Sequence, residues 1–264
     1  VGDYGTLLRT TDGGITWDLS EFITNTRLYD VSLINENIGT TVGGSTGSTI
    51  IILRSNDGGE NWEDQTHKTT ISMLQDIAMV DTSTIYVVGG EGTIVKTTDG
   101  GESWVSQQTG FNGTMRGVSF VNFSLGFVAA SNGRIFKTTD GGENWEEKII
   151  PSGPSFGGID FINEQLGWAV GTTGALYHTA DGGENWDEQD NGTTAGLEGI
   201  DFIDENRGYI AGNGGTILYT DDAGMNWTSQ TSNTGEPLRD VFFINPDTGY
   251  IVGWGGVILK TVNA

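Results

Sequence analysis

One short motif recurs six times at nearly fixed intervals, and no other feature of the chain restricts its fold so strongly. It reads Thr11-Asp12-Gly13-Gly14 leading to Trp17, Asn56-Asp57-Gly58-Gly59 to Trp62, and Thr98-Asp99-Gly100-Gly101 to Trp104. Further copies are Thr139-Asp140-Gly141-Gly142 to Trp145, Ala180-Asp181-Gly182-Gly183 to Trp186, and Asp221-Asp222-Ala223-Gly224 to Trp227. Successive aspartates stand 45, 42, 41, 41 and 41 residues apart, and a degraded copy follows at Lys260-Thr261-Val262-Asn263. A period of this length marks one supersecondary unit that hides its faces only against neighbouring copies.

Each unit reads as four strands with no helical periodicity. The first is an apolar run such as Asp240 to Ile244, matched at Asp30 to Ile34, Asp76 to Val80, Gly117 to Val121, Gly158 to Ile162 and Gly199 to Ile203. Near-continuous apolarity predicts a strand covered on both faces. The second carries an aromatic at one equivalent place: Tyr86, Phe127, Trp168, Tyr209 and Tyr250. The third is of the Thr93-Ile94-Val95-Lys96-Thr97 type, and the fourth starts at the motif Trp. Turns rich in Gly, Asn and Asp separate them. The four extra residues of the first interval fall around Ser45 to Thr49, which predicts that connections absorb the length changes.

Four-stranded units of this size predict an all-β fold, a β-propeller. The whole chain, 1–264, reads as one propeller domain with units at about 28–73, 74–114, 115–155, 156–196 and 197–237. A composite of 238–264 with 1–27 supplies the sixth blade. Seven equal blades would need about 287 residues, so seven is the alternative for a trimmed chain.

The Asp-Gly-Gly-x-x-Trp core suits a tight hairpin. The carboxylate accepts backbone N–H groups across the turn, glycine supplies positive φ, and the Trp ring packs inward with its N–H partnered. Asp12, Asp57, Asp99, Asp140, Asp181 and Asp222, with Trp17, Trp62, Trp104, Trp145, Trp186 and Trp227, are therefore structural. Copies such as Lys137-Thr138-Thr139-Asp140-Gly141-Gly142-Glu143-Asn144-Trp145 resemble the Asp-box repeats of sialidases, sortilin-type receptors and xyloglucanases. The complete unit, Leu-x-Asp-Val-x-Phe-Ile, then Gly-Tyr-Ile-Val-Gly, then the box, is most similar to the photosystem II stability and assembly factor family. That resemblance implies a non-catalytic scaffold that binds protein partners. Members of the family from photosynthetic cells use an arginine-rich patch, and the acidity of this chain argues against that role.

Thirty-five acidic against twelve basic residues give a net charge of −23, which disfavours nucleic acid and anionic membranes as partners. There is no cysteine, so disulfides and thiolate chemistry are excluded. No apolar run reaches membrane-spanning length. Acidity, absent cysteine and the habit of the family together predict an extracellular or periplasmic protein. No signal peptide is visible, and the chain reads as a monomer or as a module of a longer one.

Chemistry is sparse. The arginines, Arg9, Arg27, Arg54, Arg116, Arg134, Arg207 and Arg239, are scattered over the repeats, and Arg9 and Arg54 hold the third-strand site of Lys96, Lys137 and Lys260. That distribution does not offer a sialidase-like triad. The best carboxylate pair for glycoside hydrolysis is Asp160 and Asp201, at one first-strand position of adjacent units, but polar residues lining a wet channel explain them better, and no second motif supports catalysis. His67 and His178 lie in different units with no third ligand, so neither a metal nor a cofactor is expected.

Repeat proteins concentrate function where copies differ. The positions leading into first strands differ most: Arg27, Tyr29, Gln75, Met115, Arg116, Phe156, Glu198 and Arg239. Trp254 stands in a second-to-third-strand turn whose counterparts are small or polar. These residues predict a binding face opposite the Asp boxes, since contact anchors are commonly aromatic or Arg. The expected ligand is a protein partner, with a glycan as the alternative.

Overall fold

In the computed structural model, which describes residues 1–20, 23–45, 49–66, 73–151 and 153–263, regular structure consists of strands and five three-residue 3-10 turns. β1 (Leu8–Arg9) pairs with β2 (Asp18–Leu19). β3 (Leu28–Leu33), β4 (Gly39–Ser45), β5 (Thr49–Ser55) and β6 (Glu63–Asp64) form a four-stranded sheet in chain order. So do β7 (Leu74–Met79), β8 (Ile85–Gly89), β9 (Ile94–Thr97) and β10 (Val105–Gln107). A third such sheet holds β11 (Met115–Phe120), β12 (Gly126–Ala130), β13 (Arg134–Thr138) and β14 (Glu146–Ile149). The fourth holds β15 (Phe156–Phe161), β16 (Gly167–Gly171), β17 (Leu176–Thr179) and β18 (Asp187–Glu188). The fifth holds β19 (Leu197–Phe202), β20 (Gly208–Gly212), β21 (Thr216–Thr220) and β22 (Thr228–Gln230). β23 (Leu238–Asn245), β24 (Thr248–Gly253) and β25 (Ile258–Thr261) make a three-stranded sheet. The five units read as complete in the sequence are the five four-stranded sheets, each a propeller-type meander.

Two compact units are distinguished, Val1–Gly126 with Thr138–Glu146, and Phe127–Lys137 with Glu147–Ala264. In the first, Val42, Ile52, Leu74, Ile77, Ile85, Val87 and Val95 form a core from two consecutive sheets. In the second, Trp168, Val170, Leu176, Leu197, Phe202, Ile210 and Leu218 do the same.

Neighbouring sheets meet through an aromatic relay. In the first unit Tyr86 stacks on Phe120 of the next first strand, ring centroids 3.8 Å apart, and Phe120 meets Trp145 edge-on. In the second unit Phe127 stacks on Phe161, and Phe161 meets Trp186 edge-on. Trp168, Phe202 and Trp227 repeat the arrangement. In four of the sheets one first-strand Phe also lies over a glycine at or next to the start of its partner strand. A Cβ added at Gly126, Gly167, Gly208 or Gly249 would strike the ring of Phe120, Phe161, Phe202 or Phe243. The glycines are there to let a ring approach the backbone.

Two expectations need correction. The first strands are not the most buried: β15 mixes buried and half-buried positions, whereas every residue of β8, β12, β16 and β20 is buried. The first strand is an edge of its sheet, and the second has a hydrogen-bonded neighbour on each side. The extra residues of the first interval also lengthen the hairpin itself. β4 and β5 have seven residues each, paired out to Ser45↔Thr49.

Candidate functional site

The Asp-box turns behave as their composition predicts. Asp140 Oδ1 accepts the Asn144 N–H at 2.9 Å, and Oδ2 accepts from Asn144 Nδ2 at 2.7 Å. Thr138 Oγ1 donates to Asp140 at 2.9 Å and accepts the Gly142 N–H at 2.8 Å, while Gly141 and Gly142 take φ of 70° and 87°. The hydrogen bonds from Asn144 side chain and backbone hold the Asp140 carboxyl down at about 2. Thr16 does the same for Asp12, and Asn61 for Asp57. The indoles depart from expectation. Trp62 Nε1 donates to Gly59 O at 3.2 Å, but the indole N–H groups of Trp104, Trp145, Trp186 and Trp227 find no acceptor among the described residues. For Trp145, Trp186 and Trp227, an edge-on contact with the first-strand Phe positions the ring.

Backbone bonds sort the turns into two ends. Box turns donate to first-to-second-strand turns, as in Gly100 N–H to Ser83 O (3.0 Å) and Gly182 N–H to Gln165 O (2.9 Å). The 3-10 turns between second and third strands donate instead to lead-in segments. Examples are Gly90 N–H to Met73 O, Asn213 N–H to Gly196 O and Trp254 N–H to Pro237 O, at 2.9, 2.8 and 2.9 Å. Lead-in residues and Trp254 therefore belong to the end of the sheets away from the boxes.

At that end of the second unit Arg239 is the hub. Its guanidinium carbon lies 4.8 Å from the Trp254 ring centroid, and Nη1 pairs with Glu198 Oε1 at 3.0 Å. Asn213 Nδ2 donates to the same oxygen at 3.3 Å. Trp254 remains 53% exposed although its ring is held by the arginine. In the first unit Arg27 pairs with Asp3 and lies over the Tyr29 ring at 5.7 Å, while the Tyr29 hydroxyl contacts Met73 Sδ. Arg116 is exposed and Gln75 half-buried. Met115 and Phe156 do not belong to a face at all. Both are 0% exposed, because the residue opening each first strand points into the core, as Leu28, Leu74, Leu197 and Leu238 do.

Asp160 and Asp201 have a partner each, in the backbone of the following sheet. Asp160 accepts the Phe202 N–H at 2.8 Å and Asp201 the Phe243 N–H at 2.6 Å. Asp30 and Asp76, in the first unit, clamp Ile77 (3.1 Å) and Val118 (2.6 Å) in the same way. Burial pushes the carboxyls of Asp160 and Asp201 up, and the neighbouring charge of Asp160 adds to the rise at Asp201. The clamps at Asp30 and Asp76 were legible as a shared first-strand Asp, yet nothing in the sequence showed them reaching the next repeat. An open cleft beside Asp160 is lined by Asn163, Phe202, Asp204 and Glu205.

Third-strand cations reach forward too. Arg9 Nε donates to Gly58 O (2.7 Å), Lys96 Nζ to Gly141 O (2.9 Å), and Lys137 pairs with Glu184 at 2.7 Å. Arg54 is 7% exposed and donates to Thr82 O at 2.7 Å. These contacts explain why that site is basic, and they leave those cations committed to structure. His178 lies against Trp168, and His67 falls outside the described residues. Among the described residues no group of three His, Asp or Glu is placed to hold a metal ion, and no helix is long and apolar enough to cross a membrane.

The family signature described as photosynthesis system II assembly factor YCF48 matches residues 106–192 and 187–262. The chain belongs to this family. Among solved structures it is similar to YCF48 bound to a D1 peptide, with 21% identity and a TM-score of 0.81 over 100% of this chain and 87% of that one. YCF48 from Cyanidioschyzon merolae matches at 23% identity and a TM-score of 0.80, over 99% of this chain and 89% of the other. A GH74 enzyme of Niastella koreensis gives 16% identity and a TM-score of 0.83, covering all of this chain and half of that one. These likenesses establish the β-propeller fold. No curated protein matches the sequence.

Proposed function

We propose that this member of the YCF48 family is a non-catalytic scaffold that binds a protein segment at the lead-in end of its sheets. One observation carries the reading: Trp254, half-exposed where other copies have small or polar residues, is held in place by Arg239, which Glu198 orients in turn. A pre-positioned aromatic beside a neutralised arginine is a low-entropy anchor for a partner side chain. The relative that has been seen with a D1 peptide supports a peptide as the ligand class. The carboxylates first considered for hydrolysis, Asp160 and Asp201, are engaged by backbone N–H groups, which favours the non-enzymatic reading. Export to the periplasm or cell exterior is part of the same proposal, resting on the acidity.

Peptides selected from a random display library on the wild-type protein test the reading. They should bind Trp254→Ala and Arg239→Ala at least tenfold more weakly. Equal binding by both variants removes this face as the site. Saccharide binding on a glycan array, with no peptide selected, transfers the case to the carbohydrate alternative.

A further inference from the structure

Asparagine followed by glycine is the dipeptide most prone to spontaneous cyclisation, because glycine has no Cβ to keep its nitrogen away from the preceding side chain. The chain holds four such pairs: Asn112-Gly113, Asn132-Gly133, Asn191-Gly192 and Asn213-Gly214. Hydrogen bonds restrain three of them. The Gly133 N–H, whose nitrogen would be the nucleophile, donates to Pro154 O at 2.6 Å. Asn191 is buried, its Nδ2 donates to Gly174 O at 2.7 Å, and the Gly192 N–H is taken by Asp190 Oδ1 at 3.0 Å. Asn213 Nδ2 donates to Glu198 Oε1 at 3.3 Å from within a 3-10 turn.

The Asp-Gly pairs of the boxes cyclise by the same route and are guarded twice. The N–H groups of Gly58, Gly100, Gly141 and Gly182 donate to carbonyls of first-to-second-strand turns at 2.8, 3.0, 2.9 and 2.9 Å. Hydrogen bonds from the residue four places on hold the carboxyls of Asp57, Asp99, Asp140 and Asp181 down, and a carboxylate is a far poorer electrophile than the neutral acid. Asn112 has neither guard. It is exposed, it lies in a stretch without regular structure, and neither its side chain nor the Gly113 N–H has a hydrogen-bond partner among the described residues. Two carbonyls of this stretch are docked on one glycine. Gly92 N–H donates to Gly113 O at 2.6 Å, and Gly92 lies so close to Phe111 O that an added Cβ would collide. Neither contact engages the reacting atoms, Asn112 Cγ and Gly113 N.

We infer that Asn112 is a site of spontaneous backbone modification in the folded protein, in preference to the other three pairs. The Gly113 nitrogen forms a bond to Asn112 Cγ as the Cγ–Nδ2 bond breaks, and the amide proton leaves with the side-chain nitrogen as ammonia. Water then opens the five-membered imide at either carbonyl, giving aspartate or isoaspartate with no change of oxidation state. The isoaspartyl product carries the main chain through the former side chain. It is one carbon longer between Phe111 O and Gly113 O, the two points docked on Gly92. Both products add a negative charge to the lead-in of β11, just ahead of Arg116. The reaction makes Asn112 a marker of molecular age, and carboxyl methylation specific for isoaspartate is the chemistry that recognises its product. This site lies in the first unit and needs no partner, so it is independent of the Trp254 reading.

Folded protein held in mildly alkaline buffer, sampled at intervals and mapped by mass spectrometry after digestion, is the test. Conversion at Asn112 should run at least tenfold faster than at Asn132, Asn191 or Asn213. An isoaspartyl methyltransferase with a labelled methyl donor should place most of its label on the peptide containing residue 112. In urea the four rates should converge, since the dipeptide is the same in each. Comparable rates at all four pairs in the folded protein, or a faster rate at another pair, overturn the proposal. Gly113→Ala should slow loss of ammonia from Asn112 at least tenfold, and an unchanged rate would mean direct hydrolysis of the side chain, overturning the cyclic step. Peptide selection on Trp254→Ala has no bearing on these readouts, so failure here and failure of the scaffold reading are separable.

Discussion

Trp168 lies face to face with Phe202, ring centroids 3.5 Å apart and planes 11° from parallel, joining the second strand of one sheet to the first strand of the next. Phe202 also meets Trp227 edge-on at 6.0 Å and covers Gly208. One ring therefore serves three contacts. Phe202→Ala should destabilise the protein by about 3–5 kcal/mol, since the cavity cannot close against a glycine and two fixed indoles. Urea unfolding followed by tryptophan fluorescence checks this, and a loss under about 1 kcal/mol would show that the relay is not what joins the sheets.

The sixth box replaces its first glycine by Ala223, which adopts φ 62°. A Cβ in the left-handed region costs about 1 kcal/mol or more, while glycine loses somewhat more chain entropy on folding. Ala223→Gly should raise stability by about 0.5–1 kcal/mol. Thermal unfolding of the two proteins side by side measures it.

Asp201 has a folded-state carboxyl raised by burial and by Asp160. A raised value means that the protonated form is favoured in the native state, so its contribution is full below the ordinary Asp range and declines as pH rises through the raised value. Asp201→Asn, which cannot ionise, should therefore be less damaging at pH 9 than at pH 5. Melting temperatures of both proteins across that range decide it. A constant difference would mean that Asp201 is ionised throughout.

Val170 is fully buried, whereas Val252, at the matching place in the last sheet, is 36% exposed. Removing two methyl groups should cost about 2 kcal/mol at Val170 and a small fraction of that at Val252. Denaturant midpoints of Val170→Ala and Val252→Ala test whether the last sheet is as open in solution as it is here.

Much of the architecture was legible in the chain because the repeat averages out local ambiguity. A single Asp-Gly-Gly would have been a turn; six of them, evenly spaced, fixed strand number, order and turn chemistry. Burial was harder to read. The sequence puts Met115 and Phe156 beside variable positions and so suggests a binding face, but strand parity turns them inward. Asp160 and Asp201 look like chemistry in the sequence because composition cannot show that each carboxylate reaches a backbone amide about forty residues on. Contacts between repeats leave no spacing signature inside a repeat. Arg239 over Trp254 illustrates the limit, since both residues stood out as exceptions and only geometry could join them.

The forward-reaching side chains give the molecule a grammar of succession. The Asp clamps, the stacked aromatics and the third-strand cations extend from a sheet to the one made after it. A nascent sheet emerging from the ribosome thus presents reaching groups that wait for a successor, and each arrival satisfies its predecessor before making demands of its own. Duplication of a repeat anywhere along such a gene would insert a unit that already fits on both sides.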